Sequence, residues 1–200
     1  VVVDDTPGVV LISAFDLYRR YVAKVSLERL MTDGRIHPAR IEEVVDKVKR
    51  EVDDLIVELG EKAAFEASVA GLPSELTQLL GRLKFRTLES QNLLKHSIDV
   101  SKLSASLASE IGADVSVCKR AGLLAFLGVA VDHEVEGQHF QVSADICKKF
   151  GLSKRLTEVI EMQSTEEFGE NLEALCVFIA SKILMSRPGI GKNNMETFIK

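Results

Sequence analysis

A regular recurrence of apolar residues in the second quarter of the chain is the feature that most constrains its fold. Between residues 41 and 59, apolar side chains recur at spacings of three and four, which places them on one face of an α-helix. The residues of this face are Ile41, Val44, Val45, Val48, Val52, Leu55, Ile56 and Leu59. Pro38 suits the first turn of the helix, because an N–H at that position would be unpaired anyway. We therefore predict an amphipathic helix of about twenty residues that begins near Pro38.

The composition of the chain favours further long helices. Its 200 residues include only 13 glycines and 4 prolines, and 46% of them are hydrophobic, which allows a sizeable core. The segments 114–128, 140–150, 153–163 and 171–186 have a helical pattern. Another helix face carries His96, Val100, Leu103, Leu107 and Ile111. The fold class that we predict is mainly α, and α+β overall once the N-terminal stretch is included.

The N-terminal stretch VVVDDTPGVVLIS predicts a β-hairpin, with two short β segments around the turn signal TPG at residues 6–8. Asp16 is placed to cap a helix through about Met31, and Gly34 would end that helix. Two strands and one helix are too little to be stable alone. Because the chain also begins without Met, we expect it to be a piece of a longer protein.

The charge and the cysteines limit the partners and the compartment. A net charge of −5 and a pI near 5.5 give no overall attraction to nucleic acid, so any RNA contact must come from a local patch. No apolar stretch reaches the roughly 20 residues that a membrane span needs, and no signal peptide is visible. Cys118, Cys147 and Cys176 form no CxxC pair, which predicts reduced, buried thiols in a cytoplasmic protein.

Two basic clusters are the candidates for such a patch. The first lies in GRLKFRT and consists of Arg82, Lys84 and Arg86, which could contact phosphate or RNA. The second consists of Lys148, Lys149, Lys154 and Arg155. A charge run is more often a solvated face than a binding site, so each cluster has this plainer interpretation beside the functional one.

Five stretches together resemble one family. They are VDDTPGVVLISAFD, DGRIHPARIEEVVDK, LLGRLKFRTLESQNLLKHSIDV, KRAGLLAFLGVAVDHEVEGQH and SRPG…ETFIK. In this order they are similar to the end of the KH module and the following HD domain of the bacterial ribonuclease Y family, over essentially all 200 residues. The resemblance implies the C-terminal part of a KH module at 1–35, a helical connector at 36–80 and an all-helical HD-like domain at 81–200.

The family resemblance implies a hydrolase of RNA. Ribonuclease Y is a membrane-anchored endoribonuclease that starts mRNA turnover, so a full-length chain could be anchored at the inner face of the cell membrane by a segment outside this sequence. Its KH module binds single-stranded RNA through a GXXG loop, which would precede residue 1 here. Its HD domain uses Mn²⁺ or Mg²⁺ held by His and Asp to activate water and to stabilise charge on the phosphoryl oxygens.

The family's metal-ligand pattern is matched at two positions, His96 in LLKHSID and His139 in EGQH. At six other positions its residues are replaced: Ala125 and Phe126 stand for a His-Asp dipeptide, Val129 for a Lys, Met162 and Gln163 for a histidine pair, and Ser181 for a late Asp. Two neutral imidazoles do not make a site for a hard cation. The resemblance and these replacements together predict an HD framework with no metal, no other cofactor and no catalytic residues.

Three functions are compatible with this pattern. The first is a ribonuclease Y-like pseudoenzyme, an RNA-associated binding and dimerisation module in mRNA turnover. It would form a homodimer or a heterodimer with a related chain, contact single-stranded RNA through the preceding KH half, and meet other mRNA-decay proteins. The second is an active endoribonuclease with substitute ligands around His96 and His139, drawn from Asp132, Glu161, Glu166 and Glu167. The third is a small-ligand sensor, because a vacated pocket is more apolar and suits a base or a lipid better than a phosphate.

The remaining candidates also have plain structural interpretations. His96 lies on an apolar helix face, where a lone histidine is usually a hydrogen-bonded core residue, and His139 suits a helix start or a pair with a carboxylate. The alternating carboxylates of the loop that precedes His139 are typical of a solvated segment; they are Asp132, Glu134 and Glu136. A cysteine nucleophile would need a base and an oxyanion site, and nothing in the sequence supplies that arrangement.

Overall fold

The computed structural model describes residues 2–3, 10–34, 36–88, 91–131 and 139–186. It divides into two compact units, Val1–Ile56 and Val57–Lys200, and both are mainly α-helical, which confirms the predicted fold class. In the part of the chain that is described, no helix has the length and the hydropathy needed to cross a membrane.

The first unit opens with the predicted hairpin. Strand β1 (Val2–Val3) pairs antiparallel with β2 (Val10–Leu11), and the predicted turn at residues 6–8 lies outside the described residues. Helix α1 (Leu17–Asp33) begins where predicted, because the Asp16 carboxylate accepts a hydrogen bond of 2.8 Å from the Tyr18 N–H. It ends at Asp33, two residues beyond the predicted Met31. Gly34 follows with a left-handed φ of 71°, a conformation that glycine adopts without strain.

Helix α2 (Pro38–Glu66) begins at the predicted proline but has 29 residues instead of about twenty. The apolar period continues past Leu59 through Ala63 and Ala67, two small buried residues that a search for large apolar side chains misses. Gly60 does not interrupt the helix. A Cβ there would lie 1.9 Å from the Thr77 carbonyl oxygen, so this glycine allows the following segment to pack closely against α2.

The second unit is built from helices around one core. In chain order its remaining elements are α3 (Ser74–Arg82), a 3₁₀ turn (Leu83–Phe85), β3 (Thr87–Leu88), β4 (Gln91–Asn92), α4 (Leu93–Ile111), α5 (Val115–Leu124), α6 (Gly128–Val131), α7 (His139–Lys149), α8 (Lys154–Thr165) and α9 (Leu172–Met185). The two-residue antiparallel ladder of β3 and β4 was not predicted from the sequence. The unit is therefore helical apart from that short ladder.

The predicted helix at 114–128 is wrong at its end. Helix α5 stops at Leu124, residues 125–127 form a turn, and α6 starts at Gly128. A side chain from α7 accounts for the break, because the Ser143 hydroxyl lies 2.7 Å from the Ala125 carbonyl oxygen and accepts a 2.7 Å hydrogen bond from the Gly128 N–H. Ser143 thus satisfies backbone groups that a continuous helix would pair internally.

Close contact between α4 and α5 positions this turn. The Ser101 hydroxyl donates to the Lys119 carbonyl at 2.7 Å, and the Ser104 hydroxyl donates to the Cys118 carbonyl at 3.1 Å. Both serines are fully buried. A Cβ at Gly122 would lie 2.9 Å from the Ser101 Cα, which leaves no room for a larger residue. Small residues on both helices therefore set their separation.

The close approach makes Gly122→Ala a test of this packing. In an ordinary helix the change to alanine stabilises by about 0.5–1 kcal/mol. Here we expect it to lower the free energy of unfolding by about 1–3 kcal/mol, because the added methyl group overlaps the α4 backbone. Urea denaturation followed by circular dichroism measures the effect. Ser116→Ala, on the exposed side of α5, is the control and should change stability by less than about 0.5 kcal/mol. Stabilisation by Gly122→Ala would contradict the close packing.

Candidate functional site

A small pocket in the second unit brings together most of the positions that the family resemblance singled out. Its volume is about 120 Å³, and its walls come from the turn after α5 and from α7, α8 and α9. Five of the eight positions compared with the family line it: Ala125, Phe126, His139, Gln163 and Ser181. The sequence comparison therefore selected residues that converge in space, although they are spread over 57 positions of the chain.

Phe126 lies at the centre of this convergence. Its side chain is only 1% exposed. Its ring centroid is 5.0 Å from that of His96, in an edge-on arrangement, and 6.1 Å from that of His139. A third ring, of Phe140, lies 5.5 Å away. An apolar ring thus contacts both of the histidines that match the family pattern.

His96 is a buried, hydrogen-bonded residue of α4. Its Nδ1 is 3.1 Å from the Gln91 side-chain oxygen, and its Nε2 is 3.4 Å from the Ser181 hydroxyl. Gln91 is itself held in place, because its amide nitrogen donates to the Leu184 carbonyl at 3.1 Å. These contacts agree with the interpretation of His96 as a satisfied core histidine.

His139 is the first residue of α7, as its predicted place at a helix start requires, but it has no carboxylate partner among the described residues. Its Nε2 is buried and has no hydrogen-bond partner in the part of the chain that the structure describes. Burial lowers the pKa of His139 below its ordinary value of 6.5, so the imidazole is neutral at pH 7. A buried nitrogen without a partner is costly, which makes His139 the least satisfied polar group of the pocket.

Gln163 and Met162 on α8 and Val129 in α6 have structural contacts. Gln163 is 5% exposed, and its amide nitrogen donates to the carbonyls of Val159 and Ala174 at 3.0 and 3.1 Å, which ties α8 to α9. Its side-chain oxygen accepts no hydrogen bond within the described residues. Met162 and Val129 are half-buried and pack against the core.

The described donor atoms of the pocket are few for Mn²⁺ or Mg²⁺. Such ions need several oxygen or imidazole donors that converge on one point. The described lining offers one imidazole, an amide, a hydroxyl and the carboxylate of Glu166, and the nearby imidazole of His96 is engaged with Gln91 and Ser181. Across the ranges described, no group of three or more His, Cys, Asp or Glu residues could hold a metal ion. Phe126 adds an apolar ring where the family resemblance would place a carboxylate.

The described carboxylates that could substitute as ligands form ion pairs with lysines or are exposed to solvent. Glu166 lines the pocket, but it forms an ion pair of 3.1 Å with Lys182. Glu161 pairs with Lys148 at 2.9 Å, and Glu167 is exposed. The loop candidates lie outside the described residues; they are Asp132, His133, Glu134 and Glu136.

The two basic clusters differ in how many of their cations are exposed and how many have partners within the protein. In the first, Arg82 and Lys84 are exposed, whereas the Arg86 guanidinium donates to the Val129 carbonyl at 3.1 Å. Arg86 therefore has a structural role beside the pocket. In the second cluster, three of the four cations form ion pairs: Lys148 with Glu161, Lys154 with Glu158, and Arg155 with Glu173.

The three cysteines are buried and form no disulfide, as predicted. Burial raises the pKa of the Cys118 and Cys147 thiols to about 12 and also raises that of Cys176. The thiolate is the reactive form of cysteine, and at neutral pH almost none of it is present here. The structure therefore gives no support to a cysteine nucleophile.

Sequence reasoning missed several residues of the pocket. Phe178 and Lys182 on α9 line it, and Gln91 on β4 orients His96. Phe140 had a usable signal, because it directly follows His139. Lys182 had the same kind of signal, because it directly follows Ser181. Gln91 and Phe178 had none, since each reaches the pocket through tertiary packing.

The fold and the pocket define a class: a mainly α protein whose second unit encloses a small, aromatic-walled pocket. No protein-family model matches the chain, and no solved structure matches it. Curated relatives match it over 199 residues. Among them are ribonuclease Y of Clostridium tetani, which is 51% identical, that of Thermoanaerobacter pseudethanolicus, 50%, and that of Alkaliphilus metalliredigens, 47%. The match covers 100% of this chain and 38%, 39% and 42% of these relatives. The chain is thus homologous to ribonuclease Y over its full length and spans about two fifths of the relatives' length.

The burial of Phe126 gives a first prediction for the site. Phe126→Ala should lower the free energy of unfolding by about 3–5 kcal/mol, the usual range for truncating a buried aromatic residue. Phe65→Ala is the matched control, because Phe65 is 85% exposed, and it should cost less than about 0.5 kcal/mol. Denaturant unfolding of both variants measures the difference. A loss below about 1 kcal/mol at Phe126 would mean that its ring lines an open cleft.

The lowered pKa of His139 gives a second prediction. In the unfolded chain this histidine has an ordinary pKa near 6.5, so between that value and the lower folded value the unfolded state binds more protons. The contribution of His139 to stability is therefore fully present above about pH 6.5 and is lost as the pH falls through the folded pKa. His139→Phe should flatten the acid side of the stability curve below about pH 6.5 in urea titrations. Equal slopes for the two proteins would contradict the burial of this imidazole.

Proposed function

We propose that this chain is a non-catalytic relative of ribonuclease Y, in which the HD-like unit serves as a binding and dimerisation module in mRNA turnover. The observation that carries the proposal is the position of Phe126, whose buried ring contacts both His96 and His139. In the family resemblance this position belongs to the aspartate of the metal-binding dipeptide. The pocket brings five of the compared positions together, and the side chains at Ala125 and Phe126 carry none of the donor atoms that the resemblance implies there.

The physical argument concerns charge. A phosphodiester hydrolase of this type needs a cation to activate water and to stabilise the negative charge that develops on phosphorus oxygens. Ala125, Phe126 and Met162 offer no hard donor atom, and Gln163 uses its amide to tie α8 to α9. Without converging carboxylates, an ion in this pocket would lose its hydration without adequate replacement.

The binding role rests on the remaining surfaces. Arg82 and Lys84 are exposed and available to phosphate groups, and contact with single-stranded RNA through a preceding KH half follows from the resemblance. The assembly role is supported by α9, which is apolar on its outer side as well as its inner side. Its exposed apolar residues recur at spacings of three and four: Leu172, Leu175, Ile179 and Ile183. A dimer with a second copy or a related chain would cover such a stripe.

One observation favours the alternative of an active enzyme with substitute ligands. Glu166 lines the pocket and could turn towards an ion if it released Lys182. That single carboxylate would have to be joined by further donors, and His96 would have to give up its contact with Ser181. The alternative therefore predicts that metal binding rearranges the pocket.

Metal binding and cleavage distinguish the two functions. We expect that Mn²⁺ or Mg²⁺ added to the purified protein leaves its melting temperature unchanged, and that no Mn²⁺-dependent cleavage of single-stranded RNA occurs. A bound ion at a hundredfold excess over its Kd would stabilise the fold by about 2.7 kcal/mol, which is several degrees. A ribonuclease Y relative serves as the positive control. A clear thermal shift together with cleavage would refute the proposal.

Restoring the family residues refines this test. The double variant Ala125→His with Phe126→Asp should be less stable than the parent and should not cut, because the new carboxylate is buried without a cation. Cleavage should require His or Asp at all five changed ligand positions: 125, 126, 162, 163 and 181. Efficient cleavage by the double variant would show that the lost ligands are wrongly assigned here.

A further inference from the structure

The pocket beside Phe126 is too small for most ligands but suited to one kind of ring. Its volume of about 120 Å³ is close to that of engineered apolar cavities of about 150 Å³, which admit a benzene molecule. It could therefore accept a single six-membered ring, whereas the fused rings of a purine would not fit without displacing a wall.

The walls of the pocket suit a flat aromatic ligand. Phe140 and Phe178 are half-buried, and both line the pocket together with the buried Phe126 and the imidazole of His139. Stacking on aromatic side chains is the usual way in which proteins hold unpaired bases, because every base has a π face. Aliphatic walls alone would favour a lipid chain instead, but here four rings line the pocket beside four non-aromatic apolar side chains.

The pocket also contains polar atoms with unused hydrogen-bonding capacity. The side-chain oxygen of Gln163 accepts no hydrogen bond from the described residues, and the residue as a whole is 5% exposed. The amide cannot simply turn away, since its nitrogen is held by two carbonyls. Nearby, His139 has an unpartnered Nε2, which rotation of the imidazole would present to the pocket. A ligand edge with an N–H donor beside an acceptor would satisfy both groups.

A positively charged side chain, that of Lys182, also contributes to the pocket. Lys182 lines the pocket, and its Nζ lies 4.9 Å from the centre of the Phe178 ring and 3.1 Å from the Glu166 carboxylate. Both partners of this ion pair have side chains that are more than half exposed, so the pair is weak and Lys182 could instead meet an anionic group at the mouth.

We propose that this pocket binds a pyrimidine nucleotide, with the base stacked among Phe126, Phe140 and Phe178, its polar edge on Gln163 and His139, and its phosphate near Lys182. The inference rests on the proposed loss of the metal site, because a metal bound to His139 would compete with the ligand for that imidazole. The base could come from unpaired RNA or from a free nucleotide, and both share this chemistry.

Nucleotide binding to the purified chain tests the proposal. Uridine and cytidine 5′-monophosphate should bind at least tenfold more tightly than adenosine 5′-monophosphate in calorimetric titrations. Seven-residue oligouridylate is then compared with the mononucleotide. Tighter binding of the oligomer by tenfold or more assigns the pocket to RNA, and equal binding assigns it to a free nucleotide. Equal binding of purines and pyrimidines, or no binding of any of them, would overturn the proposal.

Three variants separate pocket binding from general effects. Lys182→Glu should weaken pyrimidine nucleotide binding at least fivefold, whereas Lys62→Glu, a change at another exposed lysine that lies outside the pocket and outside both basic clusters, should not. His139→Phe should raise the melting temperature, because it removes an unpaired buried nitrogen, and yet abolish the preference for pyrimidines. An equal effect of the two lysine variants, or retained preference in His139→Phe, would reject the site.

Failure of this nucleotide-binding inference can be distinguished from failure of the proposed non-catalytic function. If Mn²⁺ binds and RNA is cut, the metal-free interpretation fails and this inference fails with it. If no metal binds and no pyrimidine binds, only the inference fails, and the chain remains a non-catalytic homologue with an empty apolar pocket.

Discussion

The close contact between α4 and α5 is the constraint on which the arrangement of the pocket depends. Ser101 and Ser104 are small buried residues of α4, and their hydroxyls donate to carbonyls of α5, while Gly122 has no side chain to separate the two backbones. The Ser143 hydroxyl ends α5 at Leu124, and the contact between α4 and α5 then positions the turn that carries Phe126 against His96 on α4. The small serines of α4 thus help to determine where the large side chain of Phe126 lies.

Core and candidate site are the same region in this protein. Phe126 belongs to the main hydrophobic cluster and also forms the inner wall of the pocket, so its contribution to stability cannot be separated from its effect on what the pocket binds. Ser143 acts in a similar way from α7, since its hydroxyl completes the backbone hydrogen bonding of the turn. Function at such a site is constrained by folding to an unusual degree, because each wall residue also supports a helix contact.

The sequence predicts what depends on local periodicity or on family resemblance. Helix positions, the Asp16 cap and the convergence of Phe126, His139 and Gln163 are of this kind. The break after Leu124 could not be predicted, because the hydroxyl that stabilises it comes from a residue 18 positions away from Ala125. The contact of Gln91 with His96 was missed for a related reason, since a two-residue β ladder has no periodic signal.

The buried ring of Phe126 also bears on how this pocket can change over generations. Exchanging it for another large apolar side chain costs less than about 1.5 kcal/mol when the volume is kept, so drift among such residues is tolerated. A lone polar replacement is far more costly and arrives before any compensating neighbour. Purifying selection on folding is therefore sufficient to preserve the apolar character of the site, and a change to ligand-bearing side chains would have to pass through unstable intermediates.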